Sequence, residues 1–93
     1  MVDFSKVTTV GARAFYECIT LRNVDLSNVT ATGDYAFFRC WGFTGDLNMP
    51  KLTAPGKYLF RECKNITKVS APLLESTSLY MFAECTALTE IDM

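Results

Sequence analysis

A four-residue pattern, Phe-x-x-Cys, recurs four times along the chain at nearly constant spacing. The pairs are Phe15 with Cys18, Phe37 with Cys40, Phe60 with Cys63, and Phe82 with Cys85, so the phenylalanines follow one another at steps of 22, 23 and 22 residues. A fixed period of this length is typical of proteins that stack one structural unit, because a single unit cannot bury its own apolar face. The sequence therefore predicts four stacked repeats.

Other positions keep a constant phase relative to each phenylalanine. Apolar residues stand eight positions before it and six after it: Val7, Val29, Leu52 and Leu74, then Leu21, Phe43, Ile66 and Leu88. Small residues stand four positions before it: Gly11, Gly33, Gly56 and Ser78. We expect the chain to turn there into a short helix, in which Phe and Cys, three residues apart, share one face.

A segment of period two lies between these blocks. Its copies are Val2-Asp3-Phe4, Val24-Asp25-Leu26, Leu47-Asn48-Met49, Val69-Ser70-Ala71 and Ile91-Asp92-Met93. Alternation of apolar and polar residues is typical of a strand with one buried face, so stacking predicts a parallel sheet. One repeat step is 23 residues instead of 22, and we place its extra residue within residues 41–46, where two glycines are compatible with a bulged loop.

Composition limits the classes of partner. The chain has 93 residues, 49% of them hydrophobic, and 9 basic against 10 acidic side chains give a net charge of -1. Because the charge is balanced and no apolar run is long enough to span a bilayer, we expect neither nucleic acid binding nor membrane insertion. The first residues do not have the pattern of a secretory signal.

The repeat resembles the BspA-like leucine-rich repeat family, whose units carry an apolar strand pair and then a Gly-x-x-Ala-Phe-x-x-Cys-x-x-Leu block. Residues 11–21 and 33–40 match it closely, whereas Leu59, Met81 and Ser78 depart from it. The resemblance covers essentially all 93 residues. It implies an α/β repeat solenoid over residues 1–93, a horseshoe segment with a parallel β-sheet on the concave side and short helical turns on the convex side. It also implies a secreted or cell-surface protein that adheres to host molecules or other cells.

The cysteine column has three interpretations. Cys18, Cys40, Cys63 and Cys85 share one phase of the repeat, which favours buried free thiols. A disulfide between neighbouring repeats and a zinc site are the alternatives, although a linear column does not converge tetrahedrally and the chain has no histidine. We expect no metal and no cofactor. Without histidine, and with the thiols in the core phase, catalytic residues are not expected either.

The polar column of the strands is the first candidate binding surface. It consists of Asp3, Asp25, Asn48, Ser70 and Asp92, with Asp46 and Glu90 beside it. On a horseshoe this column would line the concave face, which repeat proteins often use to hold a partner. The alternative is that these side chains are ordinary polar surface residues in contact with solvent.

An aromatic stripe is the second candidate. Tyr35, Tyr58 and Tyr80 stand two residues before successive phenylalanines, and Trp41 lies beside the irregular loop. Exposed aromatic residues in a row favour contact with a protein or a glycan. The alternative is that the tyrosine rings pack on one another and that their hydroxyl groups are hydrated.

The two ends of the chain lack evident capping repeats. The strand phase at Val2 and Phe4 returns at Ile91 and Met93, which predicts bare apolar columns at both ends. Head-to-tail self-association is therefore an alternative to binding a foreign partner, although Asp92 of one copy would then face Asp3 of the next.

Overall fold

The four phenylalanines of the repeat form one file of stacked rings in the computed structural model, which describes residues 4–93. From Phe15 through Phe37 and Phe60 to Phe82, neighbouring ring centroids are 5.4, 5.5 and 5.9 Å apart, and the interplanar angles are 3°, 10° and 6°. Equivalent side chains of consecutive repeats thus lie directly over each other. The predicted alignment of the phenylalanine column is confirmed.

The described residues form five short strands, all of them paired in parallel: β1 (Thr9–Val10), β2 (Ala31–Thr32), β3 (Gly45–Asn48), β4 (Ile66–Ser70) and β5 (Glu90–Asp92). Strands β3, β4 and β5 form one sheet in that order. They overlap three of the five predicted period-two segments, beginning one to three residues earlier and ending one residue earlier. Val24-Asp25-Leu26, predicted as a further strand, is not one.

The extra residue of the longer repeat forms a bulge. The register between β3 and β4 shifts between Gly45 and Asp46, and Gly45 has a left-handed φ of 65°. Glycine adopts this conformation without the steric cost that a Cβ would bring. The predicted bulge within residues 41–46 is confirmed.

A second parallel ladder, not predicted from the sequence, runs along another side of the repeats. Strand β1 pairs with β2, and an isolated bridge continues from Ala31 to Ala54. Threonine hydroxyls reinforce it: Thr30 donates to the carbonyl of Thr8, and Thr53 donates to the carbonyl of Thr30. This second ladder therefore joins the first, second and third repeats.

The segments around each phenylalanine are runs of turns at residues 12–17, 34–39, 57–62 and 79–84. No helix occurs among residues 4–93, so none is long and apolar enough to cross a membrane, and the predicted short helical turns are not confirmed. Along the first run of turns, successive backbone amides donate alternately to a carbonyl within the same repeat and to a carbonyl of the next repeat. The amide of Ala14 donates to the carbonyl of Gly11, but the amide of Phe15 donates to the carbonyl of Ala36 in the next repeat. An α-helix cannot form because half of the amides bond between repeats.

These turns need left-handed backbone at residues that are not glycine. The second and sixth residues of each run have φ between 52° and 61°: Arg13, Glu17, Tyr35, Arg39, Tyr58, Glu62, Tyr80 and Glu84. Such a conformation costs about 1–2 kcal/mol per residue. The hydrogen bonds between repeats hold it in place, because each of these amides in the first three runs donates to a carbonyl of the following repeat.

The glycine column lets neighbouring repeats approach backbone to backbone. A Cβ built on Gly33 would lie 2.3 Å from the amide nitrogen of Ala12, and one on Gly56 would lie 2.2 Å from the carbonyl carbon of Gly33. A Cβ on Gly11 would meet nothing within 4 Å. Close approach, rather than a turn into a helix, is the reason for glycine here.

The predicted columns form one apolar core. Its largest fully buried side chains come from several columns: Phe37, Phe43, Phe60, Met49, Leu52, Leu59, Ile66 and Met81. One expectation fails at the N-terminal end, where Phe4 was predicted to be bare. Phe4 is 3% exposed because its ring packs 5.2 Å from that of Phe15.

Candidate binding surfaces

The polar column of the sheet forms on three neighbouring strands. Asn48, Ser70 and Asp92 are register partners across β3, β4 and β5, with Asn48 and Asp92 exposed and Ser70 half-buried. Asp46 and Glu90, both exposed, lie in the adjacent column. The structure therefore brings these five predicted residues together on one face.

Lys68, which the sequence analysis did not select, stands in the middle of this face. It is the register partner of both Asp46 and Glu90, and its Nζ lies 3.2 Å from a carboxylate oxygen of Glu90. The hydrogen bond that Lys68 donates to Glu90 is the main reason why the pKa of Lys68 is raised, and the charges of Glu90, Asp46 and Asp92 add to it. Lys68 could have been predicted from the sequence, because side chains two residues apart on a strand point to the same face and Lys68 stands two residues before Ser70. The face is thus of mixed charge.

Of the other two predicted members of the polar column, only one lies among the described residues, and it is not part of the sheet. Asp25 lies outside any strand, and its Oδ1 accepts a hydrogen bond of 2.9 Å from the amide of Ser27. This local bond favours a turn over a strand. Asp3 lies outside the described residues, as does Val2.

The predicted tyrosine column forms a continuous stack. Tyr35 and Tyr58 are parallel within 6° at 4.7 Å between ring centroids, and Tyr58 and Tyr80 are within 23° at 5.2 Å. The guanidinium of Arg13 continues the column 5.6 Å from the ring of Tyr35. We call Tyr35, Tyr58 and Tyr80 the tyrosine stripe. Since the rings cover each other, Tyr35 and Tyr58 are half-buried and Tyr80, at 58%, is the most exposed.

A cleft of about 270 Å³ lies at the exposed end of the stripe. It is lined by Tyr58, Arg61, Tyr80, Ala83 and Glu84. Arg61 stands 5.6 Å from the ring of Tyr58 and pairs with Glu84 at 2.9 Å. The hydrogen bond from Arg61 lowers the pKa of Glu84. An aromatic wall and a fixed guanidinium therefore share this cleft.

Trp41 belongs to a different cluster from the stripe. The ammonium of Lys64 lies 4.2 Å from the centroid of its ring, and the guanidinium of Arg39 lies 4.8 Å from it. The side chain of Asn65 also donates to the carbonyl of Trp41 at 2.7 Å. Within the described part of the chain, no ring contact joins Trp41 to a tyrosine. The grouping of Trp41 with the tyrosines is therefore not supported.

The cysteine column is a ladder of free thiols that bond to backbone. The thiols of Cys40, Cys63 and Cys85 donate to the carbonyls of Phe15, Phe37 and Phe60, at 3.3, 3.0 and 3.0 Å. Burial raises the pKa of Cys40 to about 12 and that of Cys85 to about 11, and raises the pKa of Cys63 further. These thiols are protonated at neutral pH and are poor nucleophiles and poor metal ligands.

Comparison with protein families decides the classification. Residues 2–93 match the model of the family described as BspA type Leucine rich repeat region (6 copies). The chain belongs to the BspA-type leucine-rich repeat family. No match was found among curated proteins or among solved structures. The family match supports a repeat fold with parallel strands and a role as a repeat scaffold.

The last repeat of this BspA-type chain has an uncovered edge. Ile91 and Met93 are 43% and 46% exposed, although their counterparts in the preceding repeat, Val69 and Ala71, are buried. In the same repeat the amides of three residues have no hydrogen-bond partner among residues 4–93: Tyr80, Phe82 and Glu84. The equivalent amides of the earlier repeats each donate to a carbonyl of the following repeat.

Proposed function

We propose that this BspA-type chain is a non-catalytic binding scaffold that holds a protein or glycan partner on the tyrosine stripe. The observation that carries the proposal is the exposed outer ring of Tyr80, fixed at the end of a stacked column beside Arg61. Tyrosine and arginine are among the residue types enriched at the energetic centres of protein interfaces. A ring that is already held in place loses little conformational freedom on binding.

The sheet face is the weaker candidate. Lys68 and Glu90 already form an ion pair there, and Asp92 accepts a hydrogen bond from Ser70 at 3.5 Å, so a partner would have to displace internal contacts. The horseshoe curvature that would place this sheet on a concave side stays a prediction.

A catalytic role has little chemical basis. The chain contains no histidine, and the buried thiols of Cys40, Cys63 and Cys85 keep their protons at neutral pH. Nucleophilic catalysis needs an activated nucleophile beside a base, which these thiols do not provide.

The proposal predicts that truncation of Tyr80 abolishes most binding. Labelled chain is applied to an array that carries immobilised neutral and charged oligosaccharides and basement-membrane proteins. Tyr80→Ala should lower the affinity for the bound probe by at least about tenfold, because it removes the central aromatic anchor. The measurement is bound fluorescence against concentration for each probe.

A neighbouring residue supplies the matched control. Leu79 is 53% exposed and adjacent to Tyr80, so Leu79→Ala removes similar exposed apolar surface outside the stripe and should bind as wild type. Asp92→Lys tests the sheet face in the same assay. Equal losses for Tyr80→Ala and Leu79→Ala, or a loss confined to Asp92→Lys, would contradict the stripe as the binding surface.

Head-to-tail self-association is a second candidate, favoured by the uncovered edge of the last repeat. The matching acceptors lie in the first repeat, where the carbonyls of three residues have no partner among residues 4–93: Ala12, Ala14 and Tyr16. A second copy that stacks in register would pair these carbonyls with the amides of Tyr80, Phe82 and Glu84. Such a contact is heterologous and extends into chains unless it closes into a ring.

Self-association predicts a mass that rises with concentration. Light scattering of the 93-residue chain should show dimers and longer chains at concentrations on the order of 1 mM, a weak-association range. Ile91→Lys places a charge on the uncovered edge and should restore the monomer, whereas Ser27→Lys, outside the edge, should not. A constant monomer mass in the unsubstituted chain excludes this candidate.

A further inference from the structure

The second ladder between repeats opens at the fourth repeat. Earlier in the chain, the amide of Thr30 donates to the carbonyl of Thr8 at 2.8 Å, and the amide of Thr53 donates to the carbonyl of Thr30 at 3.0 Å. Glu75 is the next residue in this column, 22 positions after Thr53. Among the described residues its amide has no partner, and neither has the carbonyl of Thr53. The third and fourth repeats are therefore not joined here.

Ser78 gives a steric reason for this opening. It occupies the column in which Gly33 and Gly56 allow backbone contact, and a Cβ at Gly56 would lie 2.2 Å from the carbonyl of Gly33. Ser78 carries that Cβ, so the fourth repeat cannot approach the third as closely. Its hydroxyl instead donates to the carbonyl of Gly56 at 2.6 Å, while its amide has no partner in the described residues. Pro55, on the facing repeat, has no amide hydrogen to close the gap.

A groove of about 380 Å³ lies where the ladder opens. We call it the fourth-repeat groove; it is lined by Thr53, Pro55, Leu73 and residues 75–78. Its volume is within the range of small-molecule sites, about 300–1,000 Å³. It shares no lining residue with the cleft beside Tyr80.

The lining has the chemistry of a site for a neutral polyhydroxylated ligand. The hydroxyls of Ser76 and Thr77 and the carboxylate of Glu75 make no hydrogen bond within the described chain, and the carbonyl of Thr53 adds another acceptor. Leu73 is 54% exposed and supplies an apolar wall together with Pro55. Vicinal hydroxyls of a sugar can donate to a carboxylate in a bidentate manner, and the C–H face of the ring can pack on the apolar wall. The lone carboxylate disfavours an anionic ligand.

We propose that the fourth-repeat groove binds one neutral sugar residue, with Glu75 as the hydrogen-bond acceptor for its hydroxyls and Leu73 as the surface for its ring. The groove is separate from the tyrosine stripe and does not depend on it. Ser78 is the positioning residue, because its side chain keeps the two repeats apart.

The test uses the whole chain with the methyl glycosides of glucose, galactose, mannose and N-acetylglucosamine as probes. Saturation-transfer NMR should detect at least one of them, with a Kd on the order of millimolar for a ligand of this size. Glu75→Gln should weaken binding at least tenfold. Glu17→Gln, which makes the same change at an exposed carboxylate of the first repeat, should leave it unchanged.

Ser78→Gly is the decisive variant because it should close the groove without damaging the fold. Removal of the Cβ lets the fourth repeat approach the third, so the amide of Glu75 should become protected from hydrogen exchange while sugar binding is lost. If the variant does not fold, Glu75→Gln still decides the matter. Failure of all four glycosides to bind, unchanged binding in Ser78→Gly or Glu75→Gln, or tighter binding of methyl glucuronide than of methyl glucoside would overturn the proposal. Loss of array binding in Tyr80→Ala alone leaves it standing.

Discussion

Replacement of Phe37 by alanine should lower the free energy of unfolding by about 3–5 kcal/mol. The ring is fully buried and stacks between those of Phe15 and Phe60, with Phe43 at 5.3 Å, so its removal leaves a cavity inside the column. The left-handed turns on either side prevent the backbone from collapsing into this space, because each is fixed by bonds to the next repeat. Chemical denaturation monitored by circular dichroism measures the change.

The end of the same column provides the control. Phe82 stacks on one phenylalanine only and is half-buried, so Phe82→Ala should cost clearly less than Phe37→Ala. A loss below about 1 kcal/mol for Phe37→Ala would show that the column does not support the fold. Equal losses at the two positions would contradict the difference in their burial.

Two chemically identical substitutions in the glycine column should have opposite effects. Gly56→Ala should destabilise the chain by about 3 kcal/mol, because the new methyl group would lie 2.2 Å from backbone atoms of Gly33 that cannot move away independently. Gly11→Ala should stabilise it by about 0.4–1 kcal/mol, because its Cβ would meet nothing within 4 Å and alanine restricts the unfolded chain. Thermal unfolding of both variants gives the comparison.

The sign of the stability change in each variant distinguishes close backbone contact from a conformational need for glycine. If Gly56→Ala were neutral, the neighbouring repeats would not be in backbone contact at this column. If both variants were destabilising to the same extent, the glycines would be required for backbone conformation, as in the turn into a helix that the sequence predicted.

The candidate surfaces could be predicted only in part. The phase of Tyr35, Tyr58 and Tyr80 indicated a column, and the column is there. Which faces of the rings remain available was not predictable, since it depends on how closely the repeats stack. Lys68 was missed because the period-two analysis followed the central residue of each segment, whereas the ion pair with Glu90 joins residues 22 positions apart.

By itself the sequence determined the repeat, its register and its core. A period of 22 or 23 residues places equivalent apolar side chains over each other, and Gly42 and Gly45 indicated where the bulge lies. These features follow from spacing, because burial of an apolar face requires the same phase in each repeat.

Only the tertiary structure decided the conformation of the turns and the opening at the fourth repeat. A spacing of three residues between Phe and Cys is compatible with a helix as well as with these turns. The turns form because every second amide donates to a carbonyl of the next repeat, which an α-helix would not allow. The substitution of Ser78 for glycine was visible in the sequence, but its effect depends on backbone atoms of Gly56 that lie 22 residues away and in direct contact. The conformational propensity of a short segment does not predict such contacts, because they form only when the repeats have stacked.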